Sequence, residues 1–172
     1  MEEVNPLIPN TYAKHEANKK YHGYLIAPRH SLLLFEELGY ELFGFYLGLI
    51  MHARWHRGSK YFGRIPLSQT EIAKELEMTQ ATVSRKLKQL EQHKYFLIRR
   101  KGYMILGFLP LFLPDIARKI HSKNYSNLHE LYTDMHRINA EMQDNYAKSQ
   151  ERRIQNATQR LNSSSNDDYS SL

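Results

Sequence analysis

The chain has 172 residues, no cysteine and a formal net charge of +6. That length holds one domain of ordinary size with appendages. The lack of cysteine excludes disulfide scaffolds, thiolate zinc sites and cysteine nucleophiles. The charge is not spread evenly. Residues 58–104 contain ten cations (Lys60, Arg64, Lys74, Arg85, Lys86, Lys88, Lys94, Arg99, Arg100, Lys101) and four acids (Glu71, Glu75, Glu77, Glu91), so they carry the whole excess. A local basic footprint points to a polyanionic partner. Met1–Pro6 lacks the basic start and apolar core of a secretion signal. No run reaches the roughly 18 apolar residues of a membrane span, and the nearest, Leu38–Met51, contains Glu41. The expected location is cytoplasmic, away from membranes.

Residues 1–29 read as a polar N-terminal arm with Pro6, Pro9 and Lys14, Lys19 and Lys20. Tyr21–Ala27 alternates aromatic and aliphatic residues, as a short strand or extended strap would, and Pro28 ends it. His30 or Ser31 caps a helix expected to run to about His56. Its apolar positions Leu34, Leu38, Leu42, Phe45, Tyr46, Leu49 and Ile50 nearly encircle the axis. That distribution requires burial on more than one side, and surplus apolar surface would suit a homodimer contact. His52 and His56 stand one helical turn apart, a zinc-ligand spacing. No third ligand accompanies them, so no metal or other cofactor is expected. Gly58–Pro66 is a connector.

Ser68–Leu106 is the most informative stretch. Ser68 and Glu71 have capping-box spacing, and Ile72, Ala73 and Leu76 follow on one apolar face. Glu77-Met78 makes a break, and Thr79 is a good N-cap for a second helix. Val83, Leu87 and Leu90 share one face of that helix. Ala81, Arg85, Lys88, Gln89 and Gln92 lie opposite, with Thr82 and Ser84 on the flanks. Small, amide and basic groups opposite a buried face match the needs of a major groove, where Arg bridges guanine and Gln pairs with adenine. After Lys94 the pattern becomes strand-like, with Tyr95–Arg99 and Tyr103–Phe108 around Arg99-Arg100-Lys101-Gly102. Lys101-Gly102 fits a two-residue turn. Successive cations at a hairpin tip favour phosphates or a minor groove.

The order helix, turn, helix, hairpin, with T-E-I-A-x-x-L and then T-x-x-T-V-S-R-x-L-x-x-L-E, resembles the winged helix-turn-helix. It is similar to multiple-antibiotic-resistance-type regulators and to the N-terminal domains of plasmid and phage replication initiators. L-G-Y-E-L-F-G-F-Y-L-G-L-I resembles the first helix of the initiator group. The resemblance implies a mainly α fold with a small β-hairpin, a long preceding helix and a C-terminal helical extension. It implies a short strand at Tyr61–Ile65 pairing with the hairpin, with Lys60 and Arg64 near the DNA side. The winged helix-turn-helix domain is expected at 30–113.

Past the hairpin, Pro110 and Pro114 forbid a continuous helix, and Asp115 is the expected N-cap for Ile116–His121. A further helix is expected from Asn124 or Ser126 to about Leu161. Leu128, Leu131, Met135, Ile138 and Met142 alternate at spacings of three and four. They pack either on their own domain, especially the long first helix, or as a dimer arm. The extension is expected at 114–161, and residues 162–172, rich in serine, are expected as a disordered tail.

No phosphate-binding glycine loop, nucleophile–base pair or metal cluster emerges, so the chain is not expected to be an enzyme. The expected function is sequence-specific binding of double-stranded DNA by a homodimeric transcriptional regulator, a repressor. Gln80, Thr82, Ser84 and Arg85 would meet base edges. Lys86, Lys88, Arg99, Arg100 and Lys101 would hold phosphates or reach the minor groove, and Thr79 would bond a phosphate at the helix N-terminus. Two alternatives stand beside it. One is a plasmid or phage accessory that marks an origin for a replication or transfer protein partner. The other is a winged helix used for protein interaction without DNA.

Overall fold

The computed structural model describes residues 26–167. The expected arm up to Tyr24 and Leu25, with its lysines, lies outside the described residues, as do residues 168–172. Helix α1 spans Ser31–His52, strand β1 Arg64–Ile65, α2 Gln69–Glu75 and α3 Gln80–Gln92. Strands β2 (Leu97–Arg100) and β3 (Tyr103–Leu106) form the hairpin. A 3-10 turn at Leu109–Phe112 leads to α4 (Pro114–His121) and α5 (Leu128–Asp167). The sheet is antiparallel with order β1-β3-β2. The fold is a winged helix-turn-helix with a C-terminal helix.

Helix α1 is two segments. Gly39 takes φ 70° and ψ 168° inside it, a conformation open to glycine and costly for other residues. Leu34 and Leu38 before the break and Leu42, Phe45, Tyr46, Leu49 and Ile50 after it all enter one core. Phe35 and Phe43 meet edge-to-face across the break at 5.7 Å. The helix begins without a side-chain cap from His30; Ser31 Oγ donates to the Pro28 carbonyl instead. It ends at His52, short of the expected His56. The Trp55 indole folds back and donates to the Ile50 carbonyl, satisfying an end-of-helix acceptor. His56 therefore sits in a loop, and the one-turn spacing with His52 does not exist. Among the described residues no group of three His, Cys, Asp or Glu is placed to hold a metal.

The connector turns back on itself. Arg54 N–H donates to the Arg64 carbonyl and Gly63 N–H to the Arg54 carbonyl. This turn consumes residues 59–63, so β1 is shorter than the Tyr61–Ile65 strand expected. The capping box is complete: Ser68 N–H donates to Glu71 Oε2 at 2.7 Å, and Glu71 N–H to Ser68 Oγ at 3.3 Å. The bond from Ser68 N–H, with a smaller share from the Ser68 hydroxyl, holds the Glu71 carboxyl below its ordinary pKa. Glu77 makes the turn at φ 53°. Thr79 caps α3, its Oγ1 accepting from Thr82 N–H.

Tyr46, Phe96, Phe108 and Tyr132 form a chain of ring contacts through the core. The Tyr46 hydroxyl is fully buried and accepts from Phe108 N–H at 3.2 Å, and burial pushes its ionisation far up. Asp115 lies within α4 and pairs with Arg57 at 2.9 Å; Pro114 takes the first helical position, so Asp115 is not the cap expected. Asn127 caps α5, accepting from Glu130 N–H. Leu131, Met135 and Ile138 are buried in the common core. They pack on the 3-10 turn and α4 rather than chiefly on α1. Of the two placements expected for this part of the extension, Leu131, Met135 and Ile138 take the first, in the core of their own domain. Helix α5 continues past the expected end at Leu161 to Asp167, into the segment expected as a disordered tail.

His136 on α5 lies under Tyr132, with its Nε2 buried and unbonded and its ring facing the Gly107 backbone. Burial lowers its pKa and outweighs the Gly107 bond. The folded state therefore prefers neutral His136. The stability this carries is full above the ordinary His pKa of about 6.5 and is lost as pH falls below it. His136→Gln is expected to flatten the fall in melting temperature between pH 7.5 and 5.5; an unchanged slope would remove His136 from the account.

Candidate nucleic-acid interface

The helix-turn-helix is fastened to the core by α3. Val83, Leu87 and Leu90 are fully buried. Gln80, Ala81, Arg85, Lys88, Gln89 and Gln92 face solvent, and Thr82 and Ser84 are half-exposed beside them. The expected polar face is therefore on the surface as one continuous strip. Thr79 is exposed, but its hydroxyl is already engaged with Thr82 N–H and lies 2.9 Å from Thr82 Oγ1.

Lys86 corrects the sequence reading. It is 7% exposed and turns inward, with Nζ 3.3 Å from Glu41 Oε2 and 3.4 Å from the Glu41 carbonyl on α1. On a helical wheel it lies about 60° from Val83 and about 40° from Leu90, just outside the arc that Val83, Leu87 and Leu90 span. Through Glu41 it ties α3 to α1 and does not face a phosphate. Lys86→Met is expected to leave duplex affinity and its salt dependence unchanged, because a buried pair replaced by a similar apolar volume is often near neutral for stability. A reduced salt slope in titrations of this variant would return Lys86 to the interface.

The wing is built as its turn chemistry requires. Arg100 pairs with Tyr103, and Lys101 and Gly102 both take positive φ, 48° and 77°. This is the mirror-image two-residue turn whose twist matches the strands. Arg100, Lys101 and Gly102 are exposed at the tip. Arg99 is held toward α3 by Glu91, Nε to Oε2 3.4 Å. The wing and the start of α2 enclose a cleft of about 340 Å³ lined by Leu67, Ser68, Gln69, Arg99, Arg100, Lys101 and Tyr103 among others. Ser68 and Gln69 were not among the expected site residues. Their place beside the wing depends on β1 pairing with β3, which brings the start of α2 to the hairpin.

Lys60 and Arg64, placed near DNA by fold analogy, stack with tyrosines on the sheet. Arg64 lies against the Tyr103 ring and 5.0 Å from the Tyr61 ring centre, and Lys60 Nζ is 5.1 Å from the same Tyr61 centre. The alternation of strand side chains contained this signal for Arg64 and Tyr103, given the register.

Residues 46–107 match the family described as the Crp-like helix-turn-helix domain. The segment is a helix-turn-helix domain of DNA-binding type. The match begins in the second half of α1 and ends at Gly107, so it covers α2, α3 and the wing and leaves out α4 and α5. It agrees with the helix-turn-helix reading of the motifs, and the group matched is the Crp-like one. No curated protein and no solved structure matches the chain. No helix among the described residues is long and apolar enough to cross a membrane.

Proposed function

We propose that the helix-turn-helix domain binds double-stranded DNA sequence-specifically and that the chain regulates transcription, acting as a repressor by occupying its site rather than by catalysis. One observation carries this reading: the exposed strip of α3 presents Arg85, Lys88, Gln89 and Gln92, with Gln80 exposed at the helix start, while its opposite face is locked into the core. In this reading α3 enters the major groove. Gln80, Thr82, Ser84 and Arg85 meet base edges, with the amide and guanidinium groups supplying bidentate contacts. Lys88, Arg99, Arg100 and Lys101 hold phosphates on either side, and Thr79 with the α3 N-terminus adds a further phosphate contact.

A homodimer belongs to the same proposal. Leu32, Phe35, Tyr40 and Met51 are large apolar side chains that α1 leaves exposed on both sides of its break, with Tyr40 81% exposed. Helix α5 leaves the body after Tyr146, and its side chains from Glu151 to Gln159 are all exposed. A two-fold dimer would bind half-sites about one helical turn, roughly 34–36 Å, apart.

The deciding experiment is selection from random duplex DNA by the full chain at near-physiological salt, followed by sequencing. A short enriched motif, repeated with two-fold symmetry, is the expected result. Retention of duplex without enrichment would leave only backbone-driven binding, and no retention would end the proposal.

A further inference from the structure

The two faces of the small sheet differ chemically. Ile65, Leu97 and Leu106 of the inner face are buried in the core, and Arg99 on that face is held to α3 by Glu91. The strand register places Arg64, Ile98, Arg100, Tyr103 and Ile105 on the outer face. Tyr61, just ahead of β1, joins them through Arg64, whose guanidinium lies between the Tyr61 and Tyr103 rings. Tyr61 is 44% and Tyr103 49% exposed. No acidic residue occurs between Glu41 and Glu71 or between Glu91 and Asp115, the two segments that supply the whole sheet.

We infer that this outer face binds single-stranded nucleic acid. Unstacked bases lie on the sides of the Tyr61 and Tyr103 rings that Arg64 does not cover, and Lys60 and Arg100 meet the phosphates. A duplex hides the faces of its bases within the stack and offers only edges and phosphates. Exposed rings interleaved with cations therefore find their complement in a strand whose bases are free to splay. Arg64 fixes the two rings by cation–π contact before any ligand arrives, which lowers the ordering cost of binding. The alternation along β2 sends Arg99 toward α3 and Arg100 to the outer face. The two tyrosines thus lie across the sheet from α3, and Arg100 at the wing tip is the one cation that both modes of binding use.

The test is fluorescence anisotropy of the full chain with labelled oligothymidylate of about 12 nucleotides, an abasic deoxyribose-phosphate strand of equal length, and a random-sequence duplex. The unmodified chain is expected to bind oligothymidylate and to bind the abasic strand about tenfold more weakly or worse. Tyr61→Ala, which lies outside the wing cleft, is expected to lose about fivefold or more on oligothymidylate while its duplex affinity stays within about twofold, and adding Tyr103→Ala is expected to deepen the single-strand loss. Tyr61→Phe/Tyr103→Phe keeps the rings and is expected to bind the single strand as the parent does. It also keeps the test decisive should the alanine pair fold poorly. Equal affinity for the abasic strand, or no oligothymidylate binding by the unmodified chain, overturns the inference and leaves the duplex proposal standing. Single-strand binding without duplex binding does the reverse.

Discussion

Gly107→Ala is expected to cost about 3 kcal/mol of folding stability or more. Gly107 follows β3 directly and passes the Tyr95 segment at backbone contact. A Cβ built there would stand 1.6 Å from the Tyr95 carbonyl oxygen and 2.7 Å from its carbonyl carbon. These are backbone atoms, so no side-chain rotation relieves the overlap. The neighbourhood is also constrained: Gly107 N–H donates to the Phe96 carbonyl at 3.0 Å, and Phe96 and Phe108 pack ring against ring at 4.9 Å. Relief requires the base of the wing to move away from the start of β2, which breaks that bond and opens the aromatic core. For a domain of this size the loss lowers the melting temperature by roughly 6–12 °C, read from about 2–4 °C per kcal/mol. Chemical denaturation measures it directly. A midpoint equal to the parent's would mean that the close approach of Gly107 and Tyr95 is not a feature of the folded protein.

The second large effect is on DNA. Arg85→Ala is expected to weaken binding to the selected duplex by about 1–3 kcal/mol and to relax preference at one base position. Arg85 is exposed at the middle of the strip opposite Val83 and Leu87, so its truncation leaves the core untouched. Arg100→Ala, at the wing tip, is expected to weaken selected and random duplexes alike and to lower the salt slope by about 1. The contrast between the two variants separates base reading from phosphate holding. Unchanged binding in both would remove α3 and the wing from the duplex surface.

Much of the helix-turn-helix was legible because its signals are local. The Ser68–Glu71 capping box, the Thr79 cap and the Lys101-Gly102 turn each depend on atoms a few residues apart, and each is present. The buried positions of α1 and α3 were also readable, since helical periodicity alone places Leu34 through Ile50 and Val83, Leu87 and Leu90. Lys86 was misread because the same periodicity places it just outside the arc of Val83, Leu87 and Leu90. Charge at a helix surface suggested a phosphate partner, and only the approach of Glu41 shows where that charge goes. Likewise, His56 left the helix because the Trp55 indole closes the end of α1, a contact that no spacing rule contains.

The sequence by itself determined the helix-turn-helix, its polar strip and its basic wing, because periodicity, caps and turn residues act over one or two turns of chain. Only the tertiary structure decided the break at Gly39, the burial of Lys86, the sharing of one core by α5 and the separation of the sheet into two faces. Each of these rests on contacts between segments far apart in the chain. Strand alternation says which residues share a face, but the register and the packing of the core decide which face meets solvent.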